Sequence, residues 1–495
     1  MRTRLTPISL VILATLFRLG IAAAVPLFPD ETYYWDWSRH LAAGYFDHPP
    51  AIAILIRAGT TLFGDTRIGV RIGAILAGAI ASWALIVLAR RLDDNRSSAD
   101  ESALRAAILV ICIPVALVGF VLATPDAPLL AAVTVMLVAL DRAFAASYRS
   151  ADSLRWWCAA GVMLGVGLCA KYTAVLLPFG VFVAMLVHPR LRARFSEPGP
   201  YCATLLAAAI FLPVILWNAR HDWISFAFQF KHGLGTTKGS AVSRELNLIG
   251  GQFGLVSPIL AGMTCITVAR TLRCRTNERR FAIATIAASI FAFFVVSALR
   301  KPVEANWPAP ALVATLPLLA TWHVYGTSRQ WFRCGALLAV LCTLVISVQA
   351  LVPLVPLSPR RDPIAKAYGW NQVADRVGRV RDSIANNATC AHVRIAADRY
   401  QDASELAFHV PGHPFVFSLN MGGRPNQYNI WPSLKNTYHP GDCTVLIVDD
   451  SPTGTVIAHL AADSLRLDDV GPVTLTRGHQ LIGRRHIWLL HSSQL

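Results

Sequence analysis

Ile68–Ala89 reads IGVRIGAILAGAIASWALIVLA, a run in which Arg71 is the one charged side chain. A helix over it is about 33 Å long, enough to cross a hydrocarbon core of about 30 Å. Comparable apolar runs recur outward from it, at about 7–28, 104–123, 127–146, 156–170, 172–187, 201–217, 246–269, 281–299, 308–324 and 333–352. The runs at 156–170 and 172–187 are short, as tilted or partly re-entrant segments would be. The pattern predicts a polytopic α-helical membrane protein with about eleven transmembrane helices.

Composition agrees. Hydrophobic residues make up 54% of the chain and charged ones 15%, with a mean hydropathy of +0.48, too apolar for a soluble protein of this length. A net charge of +16 would suit nucleic acid if it formed one patch, but the basic residues are dealt out in small groups between apolar runs. With the N-terminus in the cytoplasm, eleven crossings place Arg2/Arg4, Arg90/Arg91/Arg96/Arg105, Arg142/Arg149/Arg155, Arg190/Arg192/Arg194, the Arg270–Arg280 cluster and Arg329/Arg333 inside. That is the positive-inside pattern. Arg2, Arg4, an apolar core and Ala22-Ala23-Ala24 imitate a signal peptide. The spans that follow, and Arg18 within the run, favour a retained first helix.

The same orientation sends a different set outside: Asp30, Glu31, Asp36, Asp47, His48, Asp126, Lys171, the 218–245 loop and Arg300-Lys301-Pro302-Val303-Glu304-Ala305-Asn306-Trp307-Pro308. Charge at a bilayer boundary is costly unless paired or used, so its convergence on one face predicts one extracytoplasmic site. Asp30 and Glu31 stand in Phe28-Pro29-Asp30-Glu31-Thr32-Tyr33-Tyr34-Trp35-Asp36-Trp37, where the chain leaves the first span. A partly dehydrated carboxylate there can act as general base on a hydroxyl; an interfacial belt of Trp and Tyr is the plainer alternative. Asp126, between Pro125 and Pro128, is either a helix cap or a site residue. Lys171 either snorkels to the surface or holds a phosphate. Arg300 and Lys301 suit a phosphate leaving group.

From Pro359 onward the chain turns polar. Short apolar runs at His392–Ala396, Pro414–Leu419, Thr444–Val448, Val473–Leu475 and Ile487–Leu490 read as strands, and Ile364–Ile384 and Ser404–Val410 as helices. Residues 1–357 thus form a transmembrane domain and 358–495 a periplasmic α/β domain, as a lid or acceptor-recognition module. Eight of the ten cysteines lie in the membrane half; Cys390 and Cys443 lie in the outer domain, where a disulfide can form. No cysteine or histidine spacing reads as a metal site.

Asp30-Glu31-Thr32-Tyr33-Tyr34 with Asp47-His48-Pro49-Pro50, then Thr124-Pro125-Asp126, Ala170-Lys171-Tyr172 and the 300–308 run, resemble bacterial members of the protein O-mannosyltransferase-like glycosyltransferases. These have the GT-C superfold, and the aminoarabinose transferase of lipid A is a relative. The resemblance covers most of the membrane half and continues weakly into Asp398–Glu405 and Arg424–Tyr428. It implies transfer of a sugar from a polyprenyl-phosphate donor to a lipid, lipopolysaccharide or protein acceptor at the periplasmic face of the bacterial inner membrane, with inversion. On that reading Asp30 is the base or acceptor-orienting group, with Glu31 and Asp126 in the catalytic set beside it. His48, Lys171, Arg300 and Lys301 hold the donor phosphate, and Tyr34, Asp47, Glu304 and Asn306 position substrate. Tyr33 stands where aminoarabinose transferases tend to carry a basic residue, and His48 where they carry a lysine; both differences count against aminoarabinose as donor sugar.

No cofactor is required on this reading; a divalent cation could join the carboxylates, although no ligand spacing demands one. Membrane lipids are expected partners and nucleic acid is not. A transporter or flippase for a lipid-linked sugar is the rival reading, since it also places charge in a membrane cavity. A scaffold whose outer domain binds a partner is a third.

Overall fold

The computed structural model describes residues 6–491 except 238, 323–325, 356, 360, 388–389, 422, 438 and 450–465. Arg2 and Arg4 lie outside the described residues. Two compact units emerge. One holds the chain up to Ala22, Ala42–Gly59 and Arg71–Leu351; the other holds Ala23–Leu41, Thr60–Val70 and the chain from Val352. The second unit therefore includes an early segment, centred on the helix Pro29–Arg39, as well as the C-terminal part.

Among the described residues, seven helices are long and apolar enough to cross a membrane: Pro7–Ala24, Arg67–Leu92, Asp126–Ala145, Ala151–Ala170, Gly199–Arg220, Glu278–Ala298 and Thr327–Leu351. Three more apolar stretches are broken. Ala99–Cys112 bends by 66° into Pro114–Val121, Tyr172–Val187 by 111° into Pro189–Ser196, and Ala241–Val256 by 104° into Pro258–Cys274. Each second half opens on a proline, which lacks the N–H a continuing helix needs and clashes with the preceding turn. Where eleven spans were expected, the structure thus has seven, or up to ten if each bent pair is one crossing. The expected 308–324 span is the twelve-residue helix Ala309–Ala320, and a second short apolar helix, Ala51–Phe63, was not expected.

Without a hydrophobic force between helices inside lipid, close packing has to come from small residues. Gly161 is one such contact, where a Cβ would strike the Ala203 backbone and push Ala151–Ala170 away from Gly199–Arg220. Buried leucines, alanines and aromatics from these helices and from Asp126–Ala145 and Glu278–Ala298 fill one continuous core. Arg18 is also buried, its guanidinium over the Phe120 ring and Nη2 directed at the Val110 carbonyl.

The two ends of this bundle differ chemically. At one end Asp141 accepts from Arg91 Nε at 2.5 Å and Arg279 Nη1 at 3.1 Å, while Arg194 pairs with Glu197 and donates to the carbonyls of Phe144 and Ala146. Arg91, Arg194 and Arg279 belong to the groups expected in the cytoplasm. Asp126 lies at the other end of the same helix as Asp141, about 22 Å away at about 1.5 Å per residue.

The second unit carries a five-stranded sheet in the order β2-β1-β3-β5-β4, where β1 is Val393–Ala397, β2 Val416–Ser418, β3 Cys443–Asp449, β4 Arg466–Arg477 and β5 Gln480–His491. β1 runs parallel to β2 and β3, and β5 runs antiparallel to β3 and β4. Central β3, CTVLIVD, is buried along nearly its whole length, as a strand covered on both faces must be. Helices Trp370–Asn386 and Tyr400–His409 match the two expected helical patterns within a few residues.

Cys390 and Cys443 form a disulfide that ties the approach to β1 to the start of β3, 53 residues apart. Closing a loop of that length removes about 4 kcal/mol of unfolded-chain entropy. Reducing the purified protein, or the Cys390→Ser/Cys443→Ser double variant, should therefore lower the thermal midpoint of this unit by several degrees. An identical midpoint in oxidised and reduced protein would show that the bridge adds no stability.

Candidate functional site

Asp126 is the first residue of Asp126–Ala145, at the end where aligned peptide dipoles favour negative charge. The N-cap position is taken by Pro125, so Asp126 stands one residue inside the helix and is not its cap. Instead its two oxygens are divided: Lys171 Nζ donates to Oδ1 at 2.7 Å and Asn306 Nδ2 to Oδ2 at 2.7 Å. Lys171 is where Ala151–Ala170 stops and a single 3₁₀ turn, Tyr172–Val175, takes over; Asn306 lies in the connection before Ala309–Ala320. Three segments distant in sequence thus meet on one carboxylate, with Asp126 and Lys171 each only about a tenth exposed. Lys171 is paired and does not merely snorkel.

A second polar group surrounds Tyr172. Its hydroxyl lies 2.9 Å from Ser225 Oγ and accepts from Asn218 Nδ2 at 3.4 Å, while Asn218 Oδ1 accepts the Phe226 amide at 3.3 Å. Sequence reading missed Asn218, although an asparagine closing an apolar span was its signal. Gln229 Nε2 donates to the Asp47 carbonyl at 2.5 Å, and Asp47 is buried while His48 is half-buried. Arg300 and Glu304 are exposed; Lys301 reaches the Lys231 carbonyl at 3.3 Å. None of these three side chains forms an ion pair among the described residues.

The remaining expected residues fall in the second unit, on the helix Pro29–Arg39. Asp30 and Glu31, adjacent in sequence, part company: Asp30 is exposed, while Glu31 is fully buried and accepts the Phe28 amide at 3.0 Å. Tyr34 is buried with its ring edge-on to Trp37 at 4.9 Å. Polar contacts fix the helix to the C-terminal segments. Thr32 Oγ1 lies 3.1 Å from Ser404 Oγ, the Gln427 amide donates to Tyr33 Oη at 2.7 Å, and Tyr428 Oη donates to Asp36 at 2.8 Å. Burial pushes the Asp36 carboxyl up, with Arg39 and Tyr428 opposing it.

Glu405, on Tyr400–His409, is the residue sequence reading most clearly undervalued. It is fully buried, and burial followed by the negative charges of Glu31 and Asp402 holds its carboxyl well above the usual range. His409 Nε2 lies 3.2 Å from Glu405 Oε2, and burial takes that imidazole down to about 4, helped by the charge of Arg67. The imidazole is therefore neutral near pH 7, and burial disfavours the charged form of the carboxyl beside it. Their signal lay in the Asp398–Glu405 match, too short to weigh heavily alone.

Residues 47–217 match the family described as dolichyl-phosphate-mannose-protein mannosyltransferase. The lipid A galacturonosyltransferase RgtD of Rhizobium johnstonii is 28% identical over 70% of this chain and 70% of its own. The undecaprenyl phosphate-alpha-4-amino-4-deoxy-L-arabinose arabinosyl transferase of Pseudomonas aeruginosa is 32% identical, over 44% of this chain and 42% of its own. ArnT of Cupriavidus metallidurans, solved bound to undecaprenyl phosphate, superposes with a TM-score of 0.66 over 97% of both chains at 15% identity. The archaeal oligosaccharyltransferase AglB of Archaeoglobus fulgidus follows at 0.53, over 90% of this chain, 69% of its own and 10% identity. The expected resemblance to the protein O-mannosyltransferase-like glycosyltransferases is borne out. The chain is a membrane glycosyltransferase of the GT-C fold with a C-terminal sheet domain.

Glu405 makes stability depend on pH with a definite sign. Its folded carboxyl titrates above the unfolded value, so its contribution is complete below about pH 4.5 and is lost as pH rises towards the folded value. Glu405→Gln, uncharged at every pH, should melt higher than wild type at pH 8, on the order of 1 kcal/mol or about 2–4 °C. Near pH 4 the gap should close. A gap of constant size across that range would mean that Glu405 does not titrate between the two states.

Proposed function

We propose that this chain moves a sugar from undecaprenyl phosphate or a similar polyprenyl carrier to a lipid A-type acceptor, with inversion at the anomeric carbon. The observation that carries this reading is Asp126, held between Lys171 and Asn306 at the end of the bundle opposite its arginine-rich end. The positive-inside rule puts the arginine-rich end in the cytoplasm and the Asp126 end outside. The relatives' named substrates, lipid A and undecaprenyl-phosphate aminoarabinose, supply the two substrate classes. A lipopolysaccharide or protein acceptor would use the same chemistry. The setting is the bacterial inner membrane, with residues 1–357 as the transmembrane transferase domain and 358–495 as the periplasmic α/β domain.

Transfer breaks the bond from the anomeric carbon to the phosphate oxygen and forms one to the acceptor oxygen, whose proton goes to a base. Asp30, exposed on the first turn of its helix, is that base, and Glu31 behind it anchors the turn. The departing polyprenyl phosphate gains negative charge, which Arg300 and Lys301 stabilise, as does Lys171 to the extent that Asp126 releases it. His48 adds a donor, and Asp47, Tyr34, Glu304 and Asn306 hold the geometry. On this reading no cofactor is required, a divalent cation could join the carboxylates, and nucleic acid is not a partner. Among the described residues the one three-ligand group close enough for a metal is Cys390, Cys443 and His491, and its two sulfurs are bonded to each other.

The test is a transfer assay with purified protein, a panel of radiolabelled undecaprenyl-phosphate sugars that includes galacturonic acid and aminoarabinose, and lipid A. Asp30→Asn should lower turnover by about 10²–10⁴-fold while the donor still binds. Equal turnover in that variant removes Asp30 as base. Donor lipid that binds to wild type and is never consumed with any sugar moves the transporter reading ahead. Lys171→Ala should weaken donor binding by about tenfold, since phosphate contacts exist before the reaction starts. Unchanged donor affinity would confine Lys171 to its pairing with Asp126.

A further inference from the structure

Within the second unit a cavity of about 290 Å³ opens beside Pro29, the residue before Asp30. Its walls come from three other places: Lys366, Tyr368 and Trp370 ahead of and at the start of Trp370–Asn386, Arg399 and Asp402 after β1, and Arg485 on β5. Apart from Pro29, which only adjoins Asp30, none of these residues has a part in the reaction above.

The charges are arranged in pairs, with one lysine outside them. Arg485 grips Asp402 with two nitrogens, Nε to Oδ2 at 2.6 Å and Nη2 to Oδ1 at 3.2 Å, and reaches Asp449 at 3.3 Å. Arg399 Nη1 pairs with the same Asp449 at 2.7 Å. Two arginines thus meet two carboxylates, with the buried Asp398 a third acid in electrostatic reach of Arg399. Lys366 is left over: it is exposed and forms no ion pair among the described residues. Its backbone is fixed, since Trp370 Nε1 donates to the Lys366 carbonyl at 3.0 Å, and the Arg485 guanidinium lies over the Trp370 ring at 5.3 Å. Tyr368 is steadied in the same way by Arg477, 4.7 Å from its ring centre. Fixed cations above aromatic walls recognise a ligand that is both anionic and ringed. The volume is at the low end of the roughly 300–1,000 Å³ typical of ligand clefts, enough for one sugar ring with its anionic group and too small and too polar for an acyl chain.

We propose that this cavity is the subsite for an anionic saccharide unit of the acceptor, a sugar ring bearing a phosphate or carboxylate. The assignment rests on the transferase reading above for the word acceptor, and on the cavity alone for the ligand class. Lys366 and Arg399 contact the anionic group, Arg485 and Asp402 the ring hydroxyls, and the wall at Pro29 sets the acceptor next to the turn that carries Asp30.

Two measurements on the full chain in detergent keep the parts separate. The first is binding of glucosamine 6-phosphate by calorimetry, with glucosamine and inorganic phosphate as controls, for wild type and the surface variants Lys366→Glu and Arg399→Ala. Wild type should prefer the phosphosugar to both controls, and each variant should lose about tenfold in affinity, the loss of one charge-assisted contact. No binding, equal affinity for inorganic phosphate, or variants that bind as wild type does would each overturn the subsite. The second is transfer, in which Lys366→Glu should raise the acceptor KM about tenfold and leave undecaprenyl-phosphate binding as it was. An unchanged acceptor KM would show that the bound sugar is not the acceptor's. Phosphosugar that binds to a chain with no transfer activity on any donor would retire the transferase reading and leave the ligand class standing.

Discussion

A carboxylate at the mouth of a membrane-spanning helix has to be paired, hydrated or used, and Asp126 is paired on both oxygens. The order of the membrane unit depends on that pairing. Asp126 begins one helix, Lys171 ends another, and Asn306 precedes a third, so one small hydrogen-bonded group sets the relative height of three segments. At the far end of the same bundle Asp141 performs the same service for Arg91 and Arg279. A bundle tied at both ends by ionic groups, with glycine-mediated contacts between, resists sliding of helices in a solvent that supplies no hydrophobic force to hold them.

The second unit faces the opposite problem, too much negative charge in a dry place. Glu31, Asp402 and Glu405 crowd one region, and the Glu405 carboxyl is held well above the usual carboxylate range because ionising it would add an unhydrated charge beside two others. Arg485 neutralises Asp402, and Glu31 accepts a backbone amide. Each acid is thereby given a different state, and Asp30 is the one left exposed.

Much of this was legible from residue order. The α/β segment was readable because its strands are short apolar runs broken by polar turns, and all five appear close to their expected places. Broken spans were less legible. Hydropathy sums a window and is insensitive to direction, so Ala241–Val256 and Pro258–Cys274 read as one run although the chain turns by 104° at Ser257 and Pro258. Asp126, Lys171 and Asn306 were all singled out, yet their mutual contact was not, since pairing depends on helix heights that no local pattern encodes. Glu405 was nearly lost for the converse reason: in a polar, amphipathic stretch nothing local distinguishes a buried acid from a solvated one.

By itself the sequence determined the membrane class, the orientation rule, the α/β tail and the family resemblance, because composition, charge spacing and short motifs act locally and survive without coordinates. The tertiary structure decided which charges are spent. It made Lys171 the partner of Asp126 and turned Glu31 inward while leaving Asp30 out. It also carried the Pro29–Arg39 helix into the unit built from the C-terminal segment, and gathered Lys366, Arg399 and Arg485 around one cavity. Those outcomes depend on distance and dehydration between residues far apart in the chain, and electrostatic free energy is fixed only once both are set.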